Sequence, residues 1–325
     1  MTLDEIEAFV CIAEVGGFTE ASRRLHRSQP AISRRIHELE HSLDAVLFER
    51  VGRRVALTDA GRALLPHGEA ALAAIRDGER AVRDRAGQTR GLTLRLAIVG
   101  TLADSHIVDA LRAFTSRFTE VSVDLRTATS REVSALVRSG EADLGLRYHP
   151  DPDPKLETIP IGEEKLYVVV PAAHRISAHR LPDLRPLQDE KWLGFPAEPG
   201  REGSFRNLLE RQLTGSGIAN PSITTVDSLT AQKRLVEAGL GVALMPVSSI
   251  REELRLGSLR IIEVPSMNAR IPVVAVRRVT GYQTQAAADF LKILADHIPA
   301  LYHRTNGTAS GEKPPRAGSR TKGRR

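Results

Sequence analysis

Gln29, Ser33 and His37 recur every four residues, and Arg34 stands beside them. On a helix of 3.6 residues per turn these four share one face. Arg pairs bidentately with guanine and Gln with adenine, while Ser suits a base edge or a phosphate. The opposite face carries Ile32, Ile36, Leu39 and Leu43. Ser28 occupies an N-cap position and Pro30 the first turn. Upstream, Ala21 and Leu25 lie four apart on a shorter apolar-periodic segment, and a polar turn separates the two. Two short helices of this kind, the second presenting Gln, Ser and Arg outward, describe a helix-turn-helix that reads DNA. The expected DNA-facing residues are Thr19, Ser28, Gln29, Pro30, Ser33, Arg34, Arg35 and His37. Arg35 points partly away, toward a phosphate. Groove contact is favoured for Arg34 over a solvated surface position, and for His37 the two readings are balanced.

The same segment contains His37-Glu38-Leu39-Glu40-His41, an H-E-x-x-H string that in zinc proteases sets two His one helical turn apart. A zinc site also needs a third ligand and an open coordination position. With Leu39 in the core of a small helical unit, coincidence is the better reading, and no metal is expected.

These residues need elements to hold them. Leu3 to Val15 reads as a first helix, with Leu3, Ile6, Phe9, Val10 and Ala13 apolar, and Gly16-Gly17 breaks it. Val46 to Thr58 reads as two short strands around Gly52-Arg53, a hairpin wing. Arg50, Arg53 and Arg54 at that wing suit phosphates or the minor groove. Thr58 then caps a long helix rich in Ala. A helix of roughly 30 residues without its own globule needs a partner, and a second copy is favoured over packing on its own domain.

From Leu92 onward strands and helices alternate, which implies α/β architecture. Strands are expected at Leu92–Val99, Val121–Thr127, Ala142–Arg147, Leu166–Pro171, Trp192–Phe195, Ile223–Val226, Val242–Met245, Leu259–Val264 and Pro272–Val276. Helices are expected at Leu102–Phe118, Arg131–Ser139, Ser204–Leu213, Ser228–Ala238 and Gln283–Ile298. The pattern suggests two similar halves, with the last strand and helix returning to the first.

The chain has 325 residues, 41% apolar and 26% charged, the composition of a multidomain globular protein. The single cysteine, Cys11, allows no internal disulfide and no thiolate metal cluster. There is no apolar run long enough for a membrane span, and the acidic start from Met1 to Glu7 is unlike a signal peptide. A cytoplasmic protein is expected. The sequence pI near 9.7 invites a nucleic-acid argument. Yet residues 304–325 hold seven Lys or Arg against one Glu, a net of +6 that equals the net charge of the whole chain. The basicity belongs to this tail, which lacks apolar anchors and is expected to be disordered. Non-specific phosphate affinity and a plain solvated tail are equally good readings of it.

Together these residues resemble the LysR-type transcriptional regulator family. The resemblance spans about residues 1 to 300 and is densest in the first 65. It is carried by Phe9, Ala13, Gly17-Phe18-Thr19, Ala21, Leu25, Ser28-Gln29-Pro30-Ala31-Ile32-Ser33, Ile36, Leu39-Glu40, Leu43, Leu47-Phe48-Glu49-Arg50, Leu57-Thr58 and Ala60-Gly61. Weaker echoes are Glu141–Gly145, Leu166–Pro171 and Val236–Pro246. Asp44 departs from the family's usual glycine, implying a local change after the recognition helix. The resemblance implies an α + α/β chain: a winged helix-turn-helix over 1–58, a linker and dimerisation helix over 59–90, and a two-lobed effector-binding domain over 91–302. That domain would resemble a periplasmic binding protein, with lobe I at about 91–165 and 270–302 and lobe II at about 166–269. The disordered tail would be 303–325. Also implied are a homodimer or dimer of dimers, double-stranded promoter DNA, a contact with RNA polymerase, and a small-molecule effector between the lobes.

Ligands of open α/β sheets bind at the carboxyl ends of strands, and helix N-termini there attract anions. Thr101 and Ser130 follow two such strands and would suit a small anionic metabolite, or merely cap their helices. In the family those two positions often contact the effector. Phe195, Arg201 and Ser204 would line the other lobe. Arg201 is an anion clamp or a solvent-facing loop residue. Asp227 is expected to cap its helix more than to touch ligand, and Arg147 to face the cleft. No cofactor is expected. Enzyme readings are poor. Gly239 and Gly241 begin a G-x-G-x-x-G spacing, but Leu244 stands at its third glycine, and there is no P-loop or G-x-S-x-G motif. The alternative from another class is a free-standing small-molecule binding protein, against which the first 60 residues argue.

Overall fold

The computed structural model describes residues 1–51, 54–85, 92–103, 107–197 and 204–304. Arg53 and Arg201, expected above as site residues, lie outside the described residues, as do the side chain of Arg54 and the tail from 305 onward.

Three helices open the chain: α1 (Leu3–Val15), α2 (Phe18–Arg24) and α3 (Gln29–Leu43). Thr2 caps α1 in a reciprocal capping box with Glu5, and Gly16 ends it in the left-handed conformation. Ser28 caps α3 through the Ala31 amide, with Pro30 in the first turn, as the sequence predicts. The helices bury Phe9, Ile12, Ala21, Ile32, Ile36 and Leu39 against one another. Strands β1 (Phe48–Val51) and β2 (Arg54–Leu57) pair antiparallel, Phe48 opposite Leu57. Phe48 packs on Phe9 and Phe18, with centroids 5.4 and 5.9 Å away, which ties the wing to the helices.

Asp44 closes α3 at φ 48°, ψ 40°. This is the left-handed region the family's glycine would occupy, and Asp is among the few other residues that tolerate it. Thr58 holds the start of α4 (Asp59–Arg85) by accepting from the Gly61 amide. The Ala-rich helix has two working faces. Gly68, Leu72 and Ala73 are buried, and a Cβ on Gly68 would lie 3.1 Å from Val10, so the missing side chain lets α1 approach. The other side leaves Ala63, Ala71, Ala74, Ile75, Gly78 and Val82 exposed. One face of α4 thus packs on its own domain, and the other is left exposed.

The α/β region contains β3 (Thr93–Val99), α5 (Ile107–Arg117), β4 (Ser122–Ala128), α6 (Ser130–Arg138), β5 (Leu144–Tyr148) and β6 (Leu156–Pro171). It continues with β7 (Trp192–Gly194), α7 (Phe205–Gly215), β8 (Ile223–Thr225), α8 (Leu229–Glu237), β9 (Val242–Pro246), α9 (Arg251–Leu256), β10 (Leu259–Ile262), β11 (Arg270–Arg278) and α10 (Gln285–Arg304). The strands join in the order β4-β3-β5-β11-β6-β9-β7-β8, with β10 beside β6. β6 is much longer than the Leu166–Pro171 strand predicted. Its first part pairs with β11 and its last part with β9 and β10. One strand thus runs through both lobes, and β11 with α10 returns to lobe I as expected.

Other differences are local. The helix predicted from Leu102 begins at Ile107, preceded by a short 3-10 turn over Gly100–Leu102. The six-residue α9 escaped the periodicity reading, being too short for a helical repeat to register. α10 runs to Arg304, beyond the predicted Ile298 and into the start of the expected tail.

Candidate DNA-reading face and effector cleft

The recognition helix α3 is fixed by what it buries. Ile32 and Leu39 are fully buried, and the face opposite leaves Ser28, Gln29, Pro30, Ser33, Arg34 and His37 exposed, with Thr19 exposed on α2. These residues form one ridge, as their spacing requires. Arg34 Nε donates to Glu38 Oε1 at 2.8 Å, which aims the guanidinium along the helix, and its other N–H groups have no partner among the described residues. Arg35 is half-buried and committed to Asp4 of α1 at 2.5 Å, so the structure uses it to brace α3 on α1. The two acids of the H-E-x-x-H string have structural partners. Glu38 holds Arg34, and Glu40 accepts from the Leu47 amide at 2.7 Å, fastening the wing to α3. Arg50 is exposed on β1.

The second site follows from strand direction. β3 runs parallel to β4 and β5, and β7 parallel to β8 and β9. The carboxyl ends within each lobe therefore gather at one end. Val99 of β3 lies opposite Ala128 of β4 in register, so Thr101 and Ser130, each two residues on, both follow the carboxyl ends of adjacent strands. Thr101 is 8% exposed, and its hydroxyl has no hydrogen-bond partner among the described residues. Ser130 is buried at the first position of α6. The cap of that helix is Thr129, locked in a reciprocal box with Glu132. Ser130 is thereby relieved of capping.

On the lobe II side, Ser204 caps α7 through the Asn207 amide, and the Phe195 ring lies 5.3 Å from Phe205. Phe205 meets Tyr148 of lobe I edge-on at 4.9 Å, so aromatic rings bridge the two lobes. Asp227 is exposed and does not cap α8. Ser228 does, accepting from the Ala231 amide, because its shorter side chain stands at the extended residue directly before the helix. Arg147 is also placed differently from its expected cleft position. Side chains alternate along β5, so Tyr148 takes the cleft side and Arg147 turns beneath α6 to bond Ser134 and Asp151. Burial opposes charge on Asp151. The Ser134 hydroxyl, the Asp153 amide and Arg147 outweigh it and hold the carboxyl below its usual range.

Sequence reasoning missed Glu164. This β6 residue is 5% exposed and accepts from Tyr148 Oη at 2.9 Å and from Ser248 Oγ at 2.7 Å. Burial pushes its carboxyl above the usual range, against the two hydroxyls and Arg251. It also missed a clasp between α4 and lobe I. Arg76 donates to Ser139 O and Arg80 to Gly140 O, while Arg80 pairs with Asp143 at 2.9 Å. Asp77 pairs with Arg278 and accepts from the Tyr282 amide. Arg24, the last residue of α2, bridges Glu14 of its own unit and Glu141 of lobe I at 2.9 and 3.3 Å. The partners lie far apart in sequence, and no local pattern marks them.

Two family models match the chain. "Bacterial regulatory helix-turn-helix protein, lysR family" covers residues 3–62, and "LysR substrate binding domain" covers 86–299. The chain belongs to the LysR family. It is a LysR-type transcriptional regulator with a helix-turn-helix DNA-binding domain and an effector-binding domain, a regulator and not an enzyme. Among relatives, the "Probable RuBisCO transcriptional regulator" of Porphyra purpurea is 28% identical, covering 94% of this chain and 97% of its own. The "HTH-type transcriptional regulator CitR" of Bacillus subtilis is 27% identical, covering 89% and 97%. Among solved structures, CbnR, a LysR family transcriptional regulator, superposes with a TM-score of 0.63 at 25% identity over 92% of this chain and 99% of its own. Full-length CbnR complexed with its target DNA gives 0.59 at 26% identity over 92% and 99%. Among the described residues no helix is long and apolar enough to cross a membrane.

Proposed function

We propose that this regulator is a cytoplasmic homodimer, or a dimer of dimers, whose grip on promoter DNA is set by a small anionic metabolite held between the lobes. Residues 1–58 would form the DNA-binding unit, 59–90 the dimerising linker, 91–302 the sensor and 303–325 a basic tail. Gln29, Ser33 and Arg34 read base edges. Ser28, Arg50, Arg53 and Arg54 meet phosphates or the minor groove. RNA polymerase is a further partner at the promoter.

The observation that carries the effector site is the buried, unpaired hydroxyl of Thr101 beside the uncommitted Ser130. A buried polar atom without a partner is costly and rare, and a ligand oxygen would satisfy it. The α6 N-terminus beside it favours negative charge. Closure of the lobes on this ligand would re-angle the paired DNA-binding units and alter DNA bending.

A thermal-shift screen of small carboxylates on the full chain tests the reading, since a ligand of the folded state raises its melting temperature. A carboxylate that stabilises the parent but not Thr101→Val supports it. Equal stabilisation of both sinks the cleft assignment.

A further inference from the structure

We propose that the junction of α4 with lobe I binds a small tetrahedral oxyanion of the phosphate class, at a site separate from the cleft. An open cavity of about 40 Å³ lies there, lined among others by Arg80 and Arg83 of α4, Arg95 of β3, and Thr284, Gln285 and Ala286 where α10 begins. A water needs roughly 10–15 Å³ of such space, so the cavity suits about three waters or one ion of phosphate size.

Among the described residues, three guanidinium groups and no acid line it. Arg80 is 7% exposed. Its Nη1 pairs with Asp143 Oδ1 at 2.9 Å and its Nη2 donates to Gly140 O, so Arg80 brings a fixed positive charge to the cavity wall rather than a free donor. Among the described residues Arg83 pairs with exposed Glu79, at 3.7 Å. Arg95 is half-buried and its side chain forms no ion pair among the described residues; only its backbone amide is engaged, by Asp143. Asp143 is thus shared by Arg80, Arg95 and Arg278, and the described charges of the wall are in positive excess.

The third side is built from backbone. Thr284 accepts from the Ala287 amide through its hydroxyl and from the Ala288 amide through its carbonyl. The Gln285 and Ala286 amides have no acceptor among the described residues, and both residues line the cavity. The 20-residue α10 adds its positive dipole end. Donors thus converge from α4, from β3 and from α10. A tetrahedral oxyanion can meet all three at once, whereas a planar carboxylate presents two oxygens in one plane. A bound ion would join the linker helix to lobe I and stiffen their joint.

Isothermal titration calorimetry of the full chain tests this with sodium phosphate, against sodium chloride at matched ionic strength. Saturable binding is expected for phosphate alone. Arg95→Gln should weaken it roughly tenfold or more, the usual cost of losing a charge-assisted hydrogen bond, and should melt close to the parent in chloride because Arg95 forms no ion pair among the described residues. Thr101→Val should bind phosphate as the parent does, which separates this site from the cleft. Glycerol phosphate is the second probe. Tighter binding than inorganic phosphate assigns the site to a phosphomonoester, weaker binding to the free ion, and both uphold it. Phosphate heats equal to chloride, or unchanged affinity in Arg95→Gln, overturn the proposal.

Discussion

The rings of Tyr148 and Phe205 meet edge to face, with centroids 4.9 Å apart and planes at 88°. Tyr148 ends β5 in lobe I and Phe205 opens α7 in lobe II, so this pair is one place where the lobes touch. The Tyr148 hydroxyl donates to Glu164, which also accepts from Ser248 after β9. A single carboxyl on the strand shared by both lobes therefore restrains a residue from each.

That carboxyl should give the sensor a measurable pH dependence. Burial raises the Glu164 pKa above the ordinary glutamate value of 4.5. The folded state then binds the proton more tightly than the unfolded chain. Its contribution is most favourable below about pH 4.5 and is lost as pH rises through the folded value. Glu164→Gln cannot ionise and still offers an oxygen to one hydroxyl. Melting temperatures of parent and variant from about pH 4 to about pH 8 should show the variant gaining on the parent as pH rises. A parent that gains on the variant instead would contradict the assignment.

The parts of this molecule legible in its sequence are those set by local rules. Ser28, Pro30 and the Ile32–Ile36–Leu39 spacing specify α3 without reference to the rest of the chain, and the structure follows them. Strand β6 was half legible, because Val168, Val169 and Val170 form a buried-type run while the preceding Glu-rich stretch pairs with β11 across exposed positions. Arg147 was misplaced because strand alternation decides its direction and one residue of register separates cleft from α6. The clasp was invisible, since Arg80 and Asp143, or Asp77 and Arg278, are joined only once the sheet exists.

Recognition-helix and wing residues should fail differently. Arg34 is exposed on the ridge of α3 and Arg50 is exposed on β1. Arg34→Ala should cost about 1–3 kcal/mol on the preferred promoter and little on scrambled DNA. Arg50→Ala should weaken both alike and flatten the salt dependence by about one unit. Fluorescence anisotropy on the two DNAs at several salt concentrations distinguishes them. Identical behaviour of both variants and the parent would remove these residues from the interface.

Gly140 should be intolerant of a side chain. It sits at φ 73°, and a Cβ there would strike Arg278 Nη1 and come within 3.3 Å of Ala73 on α4. Gly140→Ala thus adds left-handed strain of about 1–2 kcal/mol and displaces the partner of Asp77. The expected outcome is a lower melting temperature together with faster proteolysis between α4 and lobe I. A variant with parental melting and cleavage would show that the clasp yields without cost.

The exposed face of α4 decides whether the chain pairs with itself there. Ala63, Ala71, Ala74, Ile75, Gly78 and Val82 recur at helical spacing on the side turned from α1, with Ile75 43% and Val82 70% exposed. Small residues among two larger ones let two helices approach closely, and each buried Ile or Val contributes about 1.5–3 kcal/mol. Placing charge at both positions loses that burial in each copy and leaves unpaired carboxylates in the seam. Ile75→Glu with Val82→Glu should therefore weaken self-association by at least two orders of magnitude. The folding of each chain should be spared, because neither side chain is in its core. Sedimentation velocity across a dilution series reads the first expectation and circular dichroism the second. A doubly substituted chain that still sediments as the parent does would move the dimer interface away from α4.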